Sequence, residues 1–314
     1  MFHQSLQEIL HPVACAADRR VRLAGHRFVY YTTAEVAVQV IQNRRMWMRN
    51  TTTMNDYMEI QYGQNLVSVA MHGDAGAEFK SALELSHAGL FDEIANLVQS
   101  WYPEFASDTF ITCFSEHDES EDEVGRLSMW RAYGGKTGVA LVINGAAFDV
   151  ECPDLQIIAS PVAYMNQAQL IHATIDVAAN VRDSASYLLG QPRDDVRSAL
   201  FSMFRFAVLC TKHPAFAEEK EWRLMSSPKL GQSPLLERRI VTVRGVPQPV
   251  LKIPLEDIPG KNTGSLALPN LIDQIIIGPC EFPLVTLFAL RESMLNQGLS
   301  IPRIVVSNIP LRHT

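Results

Sequence analysis

The feature that most restricts how this chain can fold is a short, continuous apolar run, GVALVIN at residues 138–144. A run of this length and composition is typical of a strand that is buried on both faces of a sheet. It therefore predicts a central strand. Shorter runs of the same kind predict further strands at residues 28–31, 46–49, 109–114, 221–225, 239–244, 249–253, 273–278 and 303–307.

Helical apolar spacing separates these strands, at residues 56–72, 77–101, 166–189, 193–211 and 283–297. The order is mixed, without the regular β-α-β alternation of a doubly wound nucleotide-binding fold. Neither G-x-G-x-x-G nor G-x-x-x-x-G-K-[ST] occurs. The prediction is an α+β protein with a mixed, mostly antiparallel central sheet. It forms a single domain over residues 1–314, with helical insertions at about 56–108 and 165–210.

Composition narrows the classes of partner. Hydrophobic residues make up 47% of the chain, enough for a substantial core. The net charge of −7 lacks the broad basic field of a general nucleic-acid binder. Five scattered cysteines, no signal-peptide pattern and no apolar stretch of membrane-spanning length predict a cytoplasmic protein without a membrane partner. The oligomeric state is left open.

No metal site is predicted, because the histidines in or near the polar segments show no ligand spacing. These histidines are His26, His117, His213 and His313.

Three polar segments are candidates for chemistry. In the first, Tyr30 and Tyr31 precede a helix that Thr32 or Thr33 can cap, and such aromatics can stack on a planar ring. The same tyrosines are also consistent with a core role. The segment continues through Trp47-Met48-Arg49-Asn50-Thr51 and Asn55-Asp56 to Glu59.

The second segment runs from Cys113-Phe114-Ser115 to a short helix over residues 126–133. Ser115, at the end of a strand, is placed to touch a ligand. Trp130 and Tyr133 are three residues apart, a spacing that puts them on one helix face as a pocket wall. Equally, the segment can simply form a helix-to-strand turn. Cys113 lies inside an apolar strand, where a thiol is typically an inert core residue.

The third segment, residues 212–224, is the most specific. Along a strand, Glu219, Glu221 and Arg223 project to one side. A carboxylate there can stabilise a developing cation or deprotonate a nucleophile. The alternative is a solvated strand edge with a weak Glu221–Arg223 pair.

Together the segments resemble the bacterial family catalogued as domain of unknown function 2971. The motifs occur in the family's order: the opening tyrosine strand and helix, Asn55-Asp56 with Glu59, Cys113-Phe114-Ser115, Met129-Trp130 with Tyr133, Gly138-Val139, Lys212 with Phe216, Glu219, Glu221 and Arg223, Ile275-Ile276-Ile277-Gly278-Pro279, and Ser307. The family name implies no activity. Its association with mobile elements and defence implies a toxin-like effector of phage defence.

The order of the segments more remotely resembles the ADP-ribosyltransferases. That resemblance implies NAD as a nucleotide ligand and substrate, with Tyr30 or Tyr31 at its nicotinamide end and Ser115 or Tyr133 lining it. Trp130 and Arg223 complete the predicted cofactor-binding set, and Glu221 is the predicted catalytic carboxylate. The acceptor would be a protein or a nucleic acid. The chain lacks the first-motif histidine and the Ser-Thr-Ser of that superfamily.

Two other functions stay open. One is a metal-independent phosphoester hydrolase or nuclease that uses Lys212, Glu219, Glu221 and Arg223. The other is a non-enzymatic sensor or interaction protein whose charged face binds a partner.

Overall fold

The computed structural model describes residues 5–23, 25, 27–53, 57–243 and 245–310. Asn55 and Asp56, which belong to the first polar segment, lie outside these residues, as do His26 and His313.

Twelve strands are found in the described ranges. They are β1 Arg27–Thr33, β2 Arg45–Asn50, β3 Phe110–His117, β4 Thr137–Ile143, β5 Ile158–Pro161, β6 Ala163–Tyr164, β7 Thr211–Lys212, β8 Glu221–Ser226, β9 Glu237–Val243, β10 Val246–Pro254, β11 Ile272–Cys280 and β12 Arg303–Val306.

α-Helices occur in every range where the sequence predicted one, and also at residues 6–10, 12–23 and 268–271, where none was predicted. They are α1 Leu6–Leu10, α2 Pro12–Leu23, α3 Ala34–Asn43, α4 Tyr57–His72, α5 Asp74–Glu84, α6 Leu90–Ser107, α7 Leu127–Met129, α8 Gln167–Asp183, α9 Ala185–Leu189, α10 Arg193–Leu209, α11 Leu268–Leu271 and α12 Pro283–Asn296. The Thr33 hydroxyl caps α3 by accepting a hydrogen bond from the backbone N–H of Val36 at 3.4 Å.

The main sheet runs in the order β12-β11-β4-β1-β3-β2-β10-β9, and β8 pairs with β3. The β11–β12 pair is parallel, whereas β1–β3, β1–β4, β3–β8, β4–β11, β2–β10 and β9–β10 are antiparallel. The apolar run at 138–144 is the buried strand β4 between β1 and β11. The predicted α+β class with a mixed, mostly antiparallel central sheet is confirmed.

The chain divides into two compact units. The first, called here the helical unit, comprises Met1–Val21, Asn50–Thr109 and Ser160–Ala217. It holds α4–α6, α8–α10 and the small parallel pair β6–β7. Both helical insertions expected from the sequence fall in it.

The second, called here the sheet unit, comprises Arg22–Arg49, Phe110–Ala159 and Glu218–Thr314. Its core lies between the central strands and the turn that carries Trp130, with Tyr31, Val142 and Ile276 among the buried residues. The single domain expected over residues 1–314 stays a prediction.

Candidate functional site

Strand pairing brings three of the predicted site residues to one face of the sheet. Ser115 of β3 lies opposite Val29 of β1 and opposite Glu221 of β8, and Arg223 lies opposite Cys113. Residues directly opposite in an antiparallel pair project to the same face. Ser115, Glu221 and Arg223 therefore share a face.

Tyr31 belongs to that same face, called here the polar face, because it lies two residues beyond Val29 on β1. Tyr30 projects from the opposite face. Its ring packs against Phe114, with ring centroids 5.6 Å apart, and Phe114 also contacts Phe148. Burial raises the pKa of Tyr30. Of the two tyrosines named from the sequence, the sheet brings only Tyr31 to Ser115.

Arg126 connects the polar face. Its backbone N–H donates to the Tyr31 hydroxyl at 2.8 Å, and Nη1 donates to Ser115 Oγ at 2.6 Å. Nε and Nη2 form a fork on the Glu121 carboxylate at 2.8 and 2.9 Å. Nη2 also donates to the Glu116 carbonyl at 2.9 Å. This buried guanidinium was missed from the sequence, where its one signal is a lone basic residue before an apolar helical turn.

The segment before β8 differs from the strand that the alternation of charges predicted. A 3-10 helix, Pro214–Glu219, ends there, and Lys220 takes a left-handed conformation with φ of 45°. The strand therefore begins at Glu221. The Glu219 side chain does not lie in line with those of Glu221 and Arg223 on one side of the strand. Ser115 Oγ donates to the Glu219 carbonyl at 2.5 Å, which anchors this corner.

Glu221 and Arg223 form a buried pair rather than a solvated strand edge. Arg223 Nε lies 2.7 Å from Glu221 Oε1, and Nη2 lies 3.4 Å from Oε2. Both side chains are buried. Because an isolated buried charge is costly, loss of either partner would leave the other as an unpaired buried charge.

Trp130 and Tyr133 do not form the common wall expected from their spacing. Residues Trp130–Gly134 adopt a π-helical turn, whose wider winding separates side chains three residues apart. The Trp130 ring is buried edge-on against Tyr31, with centroids 4.8 Å apart. Tyr133 is 39% exposed, and its hydroxyl donates to the Glu219 carboxylate at 3.2 Å. Tyr133 and Glu219 thus lie at the outer edge of the site.

A histidine–carboxylate pair closes the end of β3. His117 Nε2 lies 2.8 Å from Asp122 Oδ1, which also pairs with Arg27 at 2.6 Å. Burial lowers the pKa of His117, although the contacts with Asp122 and Glu121 oppose this. Burial would raise the pKa of Asp122, but the hydrogen bonds from His117 and Arg27 outweigh it and lower that pKa.

Lys212 lies in the helical unit, paired there with another residue that the family resemblance singled out. Its Nζ is 2.7 Å from the Glu59 carboxylate and 5.0 Å from the centre of the Phe216 ring. The Lys212 side chain is buried. One of the two cations of the phosphoester hypothesis is therefore paired with a carboxylate within its own unit.

Among the described residues, no three His, Cys, Asp or Glu side chains are grouped so that they could hold a metal ion. In the same ranges, no helix has the length and apolar character needed to cross a membrane.

The sheet unit thus presents a class of site in which tyrosine, serine, arginine and glutamate side chains gather on one face of an antiparallel sheet. The sequence model of the family described as "Protein of unknown function (DUF2971)" matches residues 129–224. That range includes Trp130, Tyr133, Glu221 and Arg223, so the resemblance to this family is confirmed over that part of the chain. The chain matches no curated protein and no solved structure.

Proposed function

We propose that the sheet unit binds NAD and cleaves its N-glycosidic bond, as an ADP-ribosyltransferase or an NAD glycohydrolase with Glu221 as the catalytic carboxylate. The observation that carries the proposal is the pairing of Ser115 with Glu221 across β3 and β8, on the face that also holds Tyr31. These residues come from three distant parts of the chain, and they match the order of roles that the remote resemblance implies.

Cleavage of the N-glycosidic bond is favoured by an anion beside the ribose. When the bond breaks, nicotinamide leaves with the bonding electron pair, and positive charge develops on the ribose carbon. The Glu221 carboxylate, which is paired with Arg223, stabilises that charge. An oxygen of water or of the acceptor then bonds to the carbon, and its proton passes to solvent water.

The remaining residues divide into two groups by their accessibility. Tyr133 and the half-buried Glu219 are reached from solvent, so they contact the nucleotide first. Tyr133 supplies a ring on which a planar base can stack. Ser115, Tyr31 and Trp130 are buried, and the Ser115 hydroxyl fixes the backbone of Glu219.

The test is incubation of the purified protein with NAD labelled in its ADP-ribose part, with and without cell extract. Nicotinamide release reports cleavage, and label on protein or nucleic acid reports transfer. Glu221→Gln is expected to lower the rate about 100-fold, as loss of a group that stabilises transition-state charge does. Glu237→Gln, at a half-buried position on β9 paired with Arg239, leaves the rate unchanged.

Glu221→Gln disrupts a buried pair and can lower the rate by destabilising the fold. Tyr133→Phe, at an exposed position, is therefore a second test of the site. It removes the bond to Glu219 and is expected to lower the rate about tenfold with an unchanged melting temperature. Absence of both nicotinamide release and label transfer, across extracts of several bacteria, would overturn the proposal. A toxin-like role in phage defence predicts, in addition, that expression lowers cellular NAD and that Glu221→Gln restores it.

One observation favours a second candidate, a non-enzymatic sensor or interaction protein. The Arg126 guanidinium already donates hydrogen bonds to Ser115, Glu121 and three carbonyl oxygens. It therefore resembles a group that stabilises the fold more than one that binds a phosphate. On this reading, NAD is not turned over. Substitutions at Tyr133 and Glu219 then change the binding of a partner only, which pull-down of the wild type and Tyr133→Phe in parallel would detect.

A further inference from the structure

The helical unit contains an apolar cavity of about 160 Å³. Its lining comes from α1, the start of α2, α4, α5, α8, α10 and the segment around β6. Every lining residue belongs to the helical unit, so none of them is among the residues of the proposed NAD site.

The walls select for a neutral, aromatic occupant. The lining contains no Asp, Glu, Lys or Arg. Aromatic rings and sulfur atoms, which make favourable contacts with another ring, project into it from several elements. They belong to Phe79, Phe204, Phe206, Met71, Met165 and Met203. The space itself exists because facing helices carry alanine there, at Ala70, Ala173 and Ala207.

Among the polar groups in the wall, the His11 ring has hydrogen-bonding capacity to spare. The His11 ring, at the end of α1, packs edge-on against Phe206 with centroids 5.6 Å apart, and its nitrogens bond to no described residue. Burial lowers the pKa of His11, so the ring is neutral at neutral pH and offers one N–H and one acceptor nitrogen. The hydroxyls of Ser160 and Thr174 already donate to backbone carbonyls.

We infer that this cavity is a binding site for a neutral single-ring aromatic molecule that carries a hydroxyl group, with the hydroxyl bonded to His11. A dry apolar cavity of about 150 Å³ is large enough to take benzene. Val13 lines the cavity and is 45% exposed, which places the entrance at the junction of α1 and α2.

The probes are p-cresol and toluene, which differ by the hydroxyl. Titration calorimetry of the full chain is expected to show saturable binding of both, with p-cresol the tighter. In spectra of protein labelled at the methionine methyls, the ring current of the probe shifts Met71 and Met203 and leaves Met46 and Met225 of the sheet unit unchanged. This readout locates the site without a substitution.

Two pairs of variants test the cavity and its polar group. Ala173→Leu fills the space and is expected to abolish binding of both probes, while Ala168→Leu, exposed on the same helix, preserves it. His11→Phe keeps a ring against Phe206 but removes both nitrogens. It is expected to weaken the binding of p-cresol about three- to tenfold, which is the effect of one hydrogen bond, and to leave the affinity for toluene unchanged.

Absence of saturable binding of p-cresol to the wild-type chain would overturn the inference, as would methionine shifts outside the cavity. Preference for 1-octanol over both rings would contradict the aromatic assignment. Equal loss of p-cresol and toluene affinity in His11→Phe would contradict the hydrogen bond.

Discussion

At the scale of single residues, the polar face depends on one arginine more than on any residue that the sequence singled out. Arg126 joins Tyr31, Ser115 and Glu121 through bonds whose geometry suits a planar guanidinium. A lysine ammonium is a point charge that cannot reproduce a fork on a carboxylate.

We therefore expect Arg126→Lys to lower the free energy of unfolding by about 2–3 kcal/mol, since buried acceptors lose their donors. Urea unfolding followed by Trp fluorescence measures this. Arg303→Lys, which changes an exposed arginine paired with Glu123, should change it by less than about 0.5 kcal/mol. Equal effects of the two variants would show that the Arg126 network does not stabilise the fold.

A second prediction at this scale concerns the close approach of Gly278 to Trp130. A Cβ built on Gly278 would lie 2.7 Å from the indole, and the buried ring has no free space into which to move. Gly278→Ala should lower the free energy of unfolding by about 1–3 kcal/mol through overpacking. At Gly190 the nearest atom is 3.4 Å away, so Gly190→Ala is the matched control. A melting temperature unchanged in Gly278→Ala would contradict the packing described for Trp130.

At the scale of elements, the β3–β8 pair decides which polar residues meet. The sequence predicted both strands, and the alternation of side chains along each. It did not predict that Ser115 lies opposite Glu221, because register is set by interactions between strands more than 100 residues apart in the chain. The sequence also did not predict that the strand begins only after Lys220. The left-handed backbone conformation of Lys220 leaves Glu219 outside the strand.

The end of β3 should make stability depend on pH. Burial lowers the folded-state pKa of His117 below the ordinary value of 6.5, so the unfolded chain takes up a proton at a higher pH than the folded chain. The stability contributed by neutral His117 is therefore complete above about pH 6.5 and is lost as the pH falls below it.

Urea unfolding between pH 8 and pH 5.5 tests this in the wild type and in His117→Gln, whose amide can still donate to Asp122. The variant should lose less stability over that interval. Burial lowers the pKa of His11 as well, so some slope remains in the variant. Identical slopes would mean that His117 titrates alike in both states.

At the scale of the whole molecule, each compact unit is assembled from three separate stretches of chain. The sequence shows no composition break at these boundaries, because each stretch buries its apolar residues against partners that arrive from elsewhere. For the same reason no local pattern indicated the cavity, which is bounded by elements from all three stretches of the helical unit.

The molecular surface carries an apolar patch on α12, where Val285 and Phe288 are 65% and 64% exposed. Replacing both by lysine should reduce binding of a hydrophobic dye and raise solubility, since less apolar area faces water. The free energy of unfolding should change by less than about 0.5 kcal/mol. Leu290→Lys, at a fully buried position of the same helix, should unfold the protein. A large loss of stability in the double variant would show that the patch is packed rather than exposed.

The sequence by itself determined the fold class, the main strands and helices, and the segments where polar residues collect, because each of these follows from local composition and periodicity. The tertiary structure alone decided which face Tyr30 and Tyr31 take relative to Ser115, that Glu221 and Arg223 are buried, and that Arg126 bonds to Tyr31, Ser115 and Glu121. Those outcomes depend on strand register and on helix packing, and both are properties of contacts between residues distant in the chain. A pattern read along one segment cannot specify them, since the partner that decides burial is not in that segment.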